Sequence, residues 1–285
     1  PVIVAPAMNV NMYENPATQR NLATLHDDGV IVLEPAEGLL AEGYAGKGRL
    51  PEPDEILALA ELALRQRTGQ LTGKQIIVSA GGTVEPIDPV RFITNRSSGK
   101  MGYAIAQAAA EQGANVTLVT SSDLPAPVGV QTVRIQSARE LLAAMTERFE
   151  TADAVIMAAA VSDYRVATPA DQKMKKDAAN PGLTLELVEN PDILATLGAN
   201  KTHQYLVGFA AETQDLINYA QQKLTKKNAD MLIANDVSKA EVGFGYDTNQ
   251  VTFLTRDVQP ETLPLQTKIA VAREIMRRVS EAVKD

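Results

Sequence analysis

From Lys74 onward, apolar runs of strand length alternate with stretches of helical length, and this alternation restricts the fold more than any other feature of the chain. The runs are "KQIIVSA", "NVTLVTS", "VQTVRI", "DAVIMAAA", "LTLELV", "YLVGFAA", "ADMLIAND" and "QVTFLT". Several are apolar at consecutive positions, which suits strands covered on both faces. Helical stretches over 99–112, 138–149, 193–197, 214–227 and 267–283 supply that cover. The pattern predicts an α/β fold built on a doubly wound, mostly parallel sheet. With 285 residues, 45% of them apolar and 22% charged, the chain can bury a substantial core.

The first 70 residues read as a separate stretch: a strand at "VIVAP", a helix over 15–28, a strand at "VIVLEPA", a Gly-rich loop over 38–48 and a helix over 54–66. The polar hinge "RQRTGQLTGK" follows, which places a domain boundary near Leu71 and divides the chain into 1–70 and 71–285. Because the chain opens directly on the strand-like "PVIVAPAMN", we expect the first stretch to be part of a larger domain. A formal net charge of -8 offers no global attraction to nucleic acid or to an anionic membrane, so an anionic ligand must be met by local lysines and backbone amides. No apolar run reaches membrane-spanning length. The absence of cysteine excludes disulfides and thiolate chemistry, and the cytoplasm is the expected compartment. His26 and His203 lie far apart in sequence without ligand spacing, and no direct metal ligand can be named.

In open α/β sheets, ligands bind beyond the carboxyl ends of the strands. "GGT", "VSDYR", "AET" and "NDVSKAEVGFG" each follow a strand, and so locate the chemistry. In "GGTVEPIDPVRFITNRSSGKMG", Gly81 and Gly82 end a strand and Gly99 opens a helix, with a long flap over 81–98 between them. This is not a P-loop, because Thr94 and Met101 stand where that motif needs a glycine and a Ser or Thr. Arg91 could clamp an anion, Asn95 could polarise an oxygen, and amides near Gly81, Gly82 and Gly99 could contact phosphate. "VSDYRVATPADQKMKK" places Asp163 after a strand and Lys173, Lys175 and Lys176 one loop later, a set suited either to a metal-bound nucleotide or to a solvated face. Lys223 and Lys227 share one helical face, where cations also complement the helix dipole.

With "GGTVEPIDPVRFITNRSSGKMG", "AAAVSDYR", "KMKK", "NPDIL", "GFAAET" and "ANDVS" in this order, residues 72–283 closely resemble the phosphopantothenate–cysteine ligases of coenzyme A biosynthesis. The resemblance implies CTP-dependent joining of 4'-phosphopantothenate and L-cysteine through an acyl-cytidylate, with magnesium accompanying the nucleotide and a homodimeric ligase. By motif, Asn95 and Arg91 would act on the acyl-cytidylate and Lys173 would close on it. Asp163, Pro191, Asp192, Ile193, Leu194, Phe209, Lys223 and Lys227 would contact CTP. The implied fold is a Rossmann-like sheet preceded by a partial flavoprotein-like α/β segment.

That first segment resembles the flavin-dependent decarboxylase half of the bifunctional bacterial enzymes. "PAMNVNMY" matches its substrate-binding motif with Asn9, and "GLLAEGYAGKGRLPEP" matches its substrate flap. The flap's catalytic cysteine falls at Glu42, and its usual Gly-Arg-Met reads Gly48-Arg49-Leu50. FMN is therefore expected only for a complete decarboxylase half, and decarboxylation by this chain is not expected. Two other readings of the residues are a nicotinamide-dependent oxidoreductase, disfavoured by the long flap after Gly82, and a non-catalytic flavoprotein-like scaffold.

Overall fold

The computed structural model describes residues 2–40, 43–175, 182–212, 216–236, 245–256 and 258–284. The chain opens with β1 (Ile3–Val4), α1 (Val10–Tyr13), α2 (Pro16–Asp27), β2 (Ile31–Val32), β3 (Ala36–Leu39), β4 (Ala45–Arg49) and α3 (Pro53–Thr68). Local chemistry sets these boundaries. Asn15 caps α2 by accepting from the Ala17 amide, and proline occupies the first turn of both α2 and α3. The stretch over 38–48, expected as a loop, is largely the β3–β4 hairpin. Its glycines allow close approach, since a Cβ on Gly48 would sit 2.1 Å from the Met8 carbonyl oxygen.

The second part runs β5 (Gln75–Ala80), β6 (Val84–Pro86), β7 (Phe92–Thr94), α4 (Lys100–Glu111), β8 (Asn115–Thr120), β9 (Val130–Arg134), α5 (Ala138–Phe149) and β10 (Ala154–Met157). It continues with β11 (Tyr164–Val166), β12 (Leu187–Glu189), α6 (Ile193–Asn200), β13 (Tyr205–Glu212), α7 (Leu216–Lys226) and β14 (Met231–Asp236). The last elements are β15 (Thr248–Asn249), β16 (Val251–Thr255), β17 (Glu261–Thr262), β18 (Gln266–Thr267) and α8 (Lys268–Ala282). Eight strands form the main sheet in the order β17-β16-β14-β13-β10-β5-β8-β9. All pairs from β14 to β9 are parallel, whereas β16 and β17 add antiparallel.

Both faces are covered, as the consecutive apolar positions require. On one face α4 and α8 pack together, bringing Ile105, Ala109, Ile275 and Val279 against Ile76, Val78 and Ile156. On the other, α5 and α6 bring Leu141, Met145 and Leu197 against Ile77, Val155 and Leu206. Leu224 of α7 belongs to a third cluster with Leu232 and Leu254. The expected strand "LTLELV" contributes only Leu187 and Val188 to a short ribbon with β11 outside the main sheet. Its alternating pattern leaves Leu183 and Leu187 exposed, unlike the continuous runs that become central strands. The flap over 81–98 also contains a hairpin, β6–β7. Among the described residues, no helix is long and apolar enough to cross a membrane.

Candidate active site

After β5 the chain enters α4 and adds β8 and β9 on one side; after α5 it crosses to the other side of β5 as β10. Adjacent connections leaving in opposite directions open a crevice at the carboxyl ends of β5 and β10. A cleft of about 960 Å³ lies there. Its walls come from residues 95–102, the 157–164 segment after β10, the 189–194 segment entering α6, Phe209 of β13, and Lys223 and Lys227.

Gly99 begins α4 at φ +80°, and no side chain caps the helix. Its unsatisfied first-turn amides are therefore available to an anion. Lys100 extends from the first turn and donates to the Gly245 carbonyl at 3.1 Å and the Asp247 carboxylate at 2.7 Å. Nearby Lys268 is buried and donates to the Tyr246 carbonyl. Burial pushes its pKa down, the Lys100 charge adds to that, and Asp247 opposes both. Lys100, Lys268, Asn235 and Asn249 all line the cleft but were absent from the sequence-based site. Lys100 was visible in "SSGKMG"; Lys268, Asn235 and Asn249 become neighbours only through the tertiary fold.

On the opposite wall, Asp192 caps α6 by accepting from the Ala195 amide at 2.9 Å and pairs with Lys227. Burial alone would raise the Asp192 pKa, but Lys227, the Ala195 amide and the Lys223 charge together hold it below its ordinary value. Pro191, Ile193, Leu194 and Phe209 complete a largely apolar wall, and Asp163 stands exposed at the rim. Asn190 ties this wall to the strand-end loop: its amide N–H donates to the Asp163 carbonyl and its Nδ2 donates to the Ser162 carbonyl, both at 2.8 Å. The structure thus brings Asn95, Gly99, Asp163, Pro191–Leu194, Phe209, Lys223 and Lys227 into one cleft.

Other expected site residues lie differently. Gly81 and Gly82 permit close backbone approach, since added Cβ atoms would meet Ser121 Oγ at 2.4 Å and the Asn95 carbonyl oxygen at 2.7 Å. Of the three glycines considered for phosphate contact, Gly99 lines the cleft. Asn95 Nδ2 donates to the carbonyls of Val161 and Ala160 at 3.0 and 3.3 Å, joining the flap to the loop after β10. Arg91 does not present an open anion clamp: its guanidinium pairs with Asp88 and donates to the Met174 carbonyl at 3.0 Å. Lys173 and Lys175 are exposed beside Met174, while Lys176 lies outside the described residues. In the first segment, Asn9 caps α1 through its side-chain oxygen and donates from Nδ2 to the Tyr44 hydroxyl at 2.7 Å. Glu42 lies outside the described residues.

Two family models match successive stretches of the chain. The family described as "DNA/pantothenate metabolism flavoprotein C-terminal domain" matches residues 71–283, and the Flavoprotein family matches residues 1–63. The chain is 47% identical over 287 residues to the coenzyme A biosynthesis bifunctional protein CoaBC of Bacillus subtilis, covering 100% of this chain and 70% of that protein. It is 42% identical over 285 residues to a cysteine/cysteine sulfinic acid decarboxylase from an unknown prokaryotic organism, covering 98% of this chain and 79% of that protein. Among solved structures, the C-terminal domain of a CoaBC protein superposes with a TM-score of 0.64 at 43% identity, covering 75% of this chain and 97% of that chain.

Proposed function

Given that the chain belongs to the DNA/pantothenate metabolism flavoprotein family, we propose that it joins 4'-phosphopantothenate to L-cysteine at the expense of CTP. The observation that carries this reading is the collection, in one strand-end cleft, of four lysines, the uncapped start of α4 and Asp163. In a chain of net charge -8, these lysines are the local cations that a site for several phosphate groups requires.

A carboxylate must be activated before an amine can displace one of its oxygens. In the first step, a carboxylate oxygen of phosphopantothenate attacks the α-phosphorus of CTP and pyrophosphate leaves. In the second, the cysteine nitrogen attacks the acyl carbon, the amide forms, and CMP departs with the former carboxylate oxygen. Lys223 and Lys227 would neutralise the nucleotide phosphates from one wall, with Phe209 and 191–194 placing the nucleoside. The α4 amides and Lys100 would receive an anion from the other wall. Asn95 would exchange a carbonyl partner for the acyl-cytidylate, and Lys173 would neutralise charge from the adjoining segment.

Among the described residues, no cluster of three or more acidic or histidine side chains forms a dedicated metal site. Asp163 at the rim fits the usual alternative, in which magnesium arrives on nucleotide phosphates and takes one or two protein carboxylates. There the metal would supply charge neutralisation. A homodimer and a cytoplasmic setting belong to the same reading. In the first segment, both ends of the Asn9 carboxamide have protein partners.

The test is pyrophosphate release from a panel of nucleotides with phosphopantothenate and cysteine, alongside mass analysis of the product. CTP should support release well above ATP and yield phosphopantothenoylcysteine. The decarboxylase relative motivates a parallel assay of carbon dioxide from cysteine and cysteine sulfinic acid. Carbon dioxide without any CTP-dependent amide would replace the ligase reading.

A further inference from the structure

Asp88 is a charged side chain buried completely in the turn that joins β6 to β7. Its Oδ1 accepts from the amides of Val90 and Arg91 at 2.8 and 2.9 Å. Its Oδ2 accepts from Arg91 Nε at 2.9 Å, from the Arg91 terminal nitrogen, and from the Met174 amide at 3.2 Å. The same guanidinium donates to the Met174 carbonyl. Met174 is therefore held at both its backbone donor and its backbone acceptor by one ion pair. A further bond joins the Ala170 amide to the Ile87 carbonyl at 2.9 Å, so the 170–174 segment is tied to the hairpin turn at both of its ends.

This arrangement has a consequence for both chain segments. Asn95 follows β7 directly, and Lys173 immediately precedes the gripped residue. We propose that Asp88 and Arg91 are positioning residues that fasten the lysine-bearing segment to the Asn95-bearing hairpin, fixing Lys173 relative to Asn95 for the ligation reaction. The catalytic consequence rests on the proposed function; the fastening itself does not. Arg91 thereby acts through Met174 and its neighbour Lys173. Charge and shape are both required: only a planar guanidinium spans the carboxylate and the peptide carbonyl together, and only a carboxylate accepts from every donor around it.

Asp88→Asn is the direct test, because it keeps the side chain's shape but turns an amide nitrogen toward surrounding donors. Melting temperature and circular dichroism establish folding, and peptide-level hydrogen exchange reads the Met174–Lys175 amides. The expected result is faster exchange there, with kcat lowered about 10–100-fold and KM for CTP within about threefold, from loss of charge-assisted hydrogen bonds at a remote positioning site. In a Lys173→Gln background the same change should cost kcat less than about threefold, because both substitutions disable one function. Arg91→Lys, which keeps the charge but not the span, should behave in the same direction and serves if Asp88→Asn fails to fold. Unchanged exchange in a folded variant overturns the fastening. Full multiplication of the Asp88 and Lys173 losses overturns the coupling. A wild-type protein that makes no amide product would defeat the ligase reading, while the exchange measurement would still decide the fastening.

Discussion

The carboxamide of Asn95 bridges the flap and the loop after β10 through two carbonyl acceptors. A carboxylate there accepts but cannot donate, and it would face both carbonyl oxygens. Asn95→Asp should permit attack on CTP but slow the second half-reaction by about 10²–10³, the usual cost of losing a donor to developing oxyanion charge. Quenched mixtures analysed by mass spectrometry should contain phosphopantothenoyl-cytidylate without its cysteine amide. Loss of CTP binding, with neither species formed, would assign Asn95 to binding or folding. Lys173 is exposed, so Lys173→Gln should reduce turnover with little change in melting temperature. Equal activity at matched folding would make it an ordinary solvated lysine. Much of the cleft was legible at this level because Asn95, Asp163 and 191–194 lie within recognisable strings, while Lys223 and Lys227 share one helical face. The pairing of Arg91 with Asp88 was not, since a sequence shows a guanidinium but not its partner across a turn.

Among the elements, central strands were read most faithfully because burial on both faces leaves an unbroken apolar run. The hairpins β3–β4 and β6–β7 were hidden in stretches rich in glycine, proline and charge, where pairing follows from turns and tertiary contact. Helix α4 shows how closely elements meet beside the cleft: a Cβ on Gly102 would lie 2.5 Å from Ala80 Cβ and 2.8 Å from the Ser79 carbonyl oxygen. Gly102→Ala should therefore destabilise by about 1–3 kcal/mol through overcrowding, despite alanine's better helix propensity. Chemical denaturation checks this, and a stabilised variant would refute the stated contact. At the β6–β7 hairpin, the Arg91 guanidinium holds the Asp88 carboxyl well below the usual carboxylate range; burial opposes the shift and the surrounding amides reinforce it. A depressed folded-state pKa gives stabilisation that is present above the unfolded value of about 4 and is lost as pH falls toward the folded value. The melting-temperature gap between wild type and Asp88→Asn should consequently narrow below about pH 4. A gap that widens on acidification would contradict the ion pair.

For the whole molecule, one matched family covers residues 1–63 and the other residues 71–283. If the ligase function resides after Leu71, a protein spanning residues 71–285 should retain CTP-dependent pyrophosphate release, while the full chain with added FMN should release no carbon dioxide from phosphopantothenoylcysteine. The second expectation rests on the departures from the decarboxylase pattern at Glu42 and Leu50, and carbon dioxide above background would overturn it. Tertiary folding gives the proposed ligase its common setting: a parallel sheet reverses its direction of growth at β5, and separate strand-end segments converge around anion-binding groups. The central claim is carboxylate activation by transfer of a cytidylyl group, and oxygen-isotope tracing tests it most directly. Phosphopantothenate labelled with oxygen-18 in its carboxylate should be incubated with CTP, cysteine and the full protein, and CMP analysed by mass spectrometry. The account predicts one labelled oxygen in CMP, transferred when cysteine displaces it from the acyl carbon; amide formation accompanied by unlabelled CMP would contradict that route.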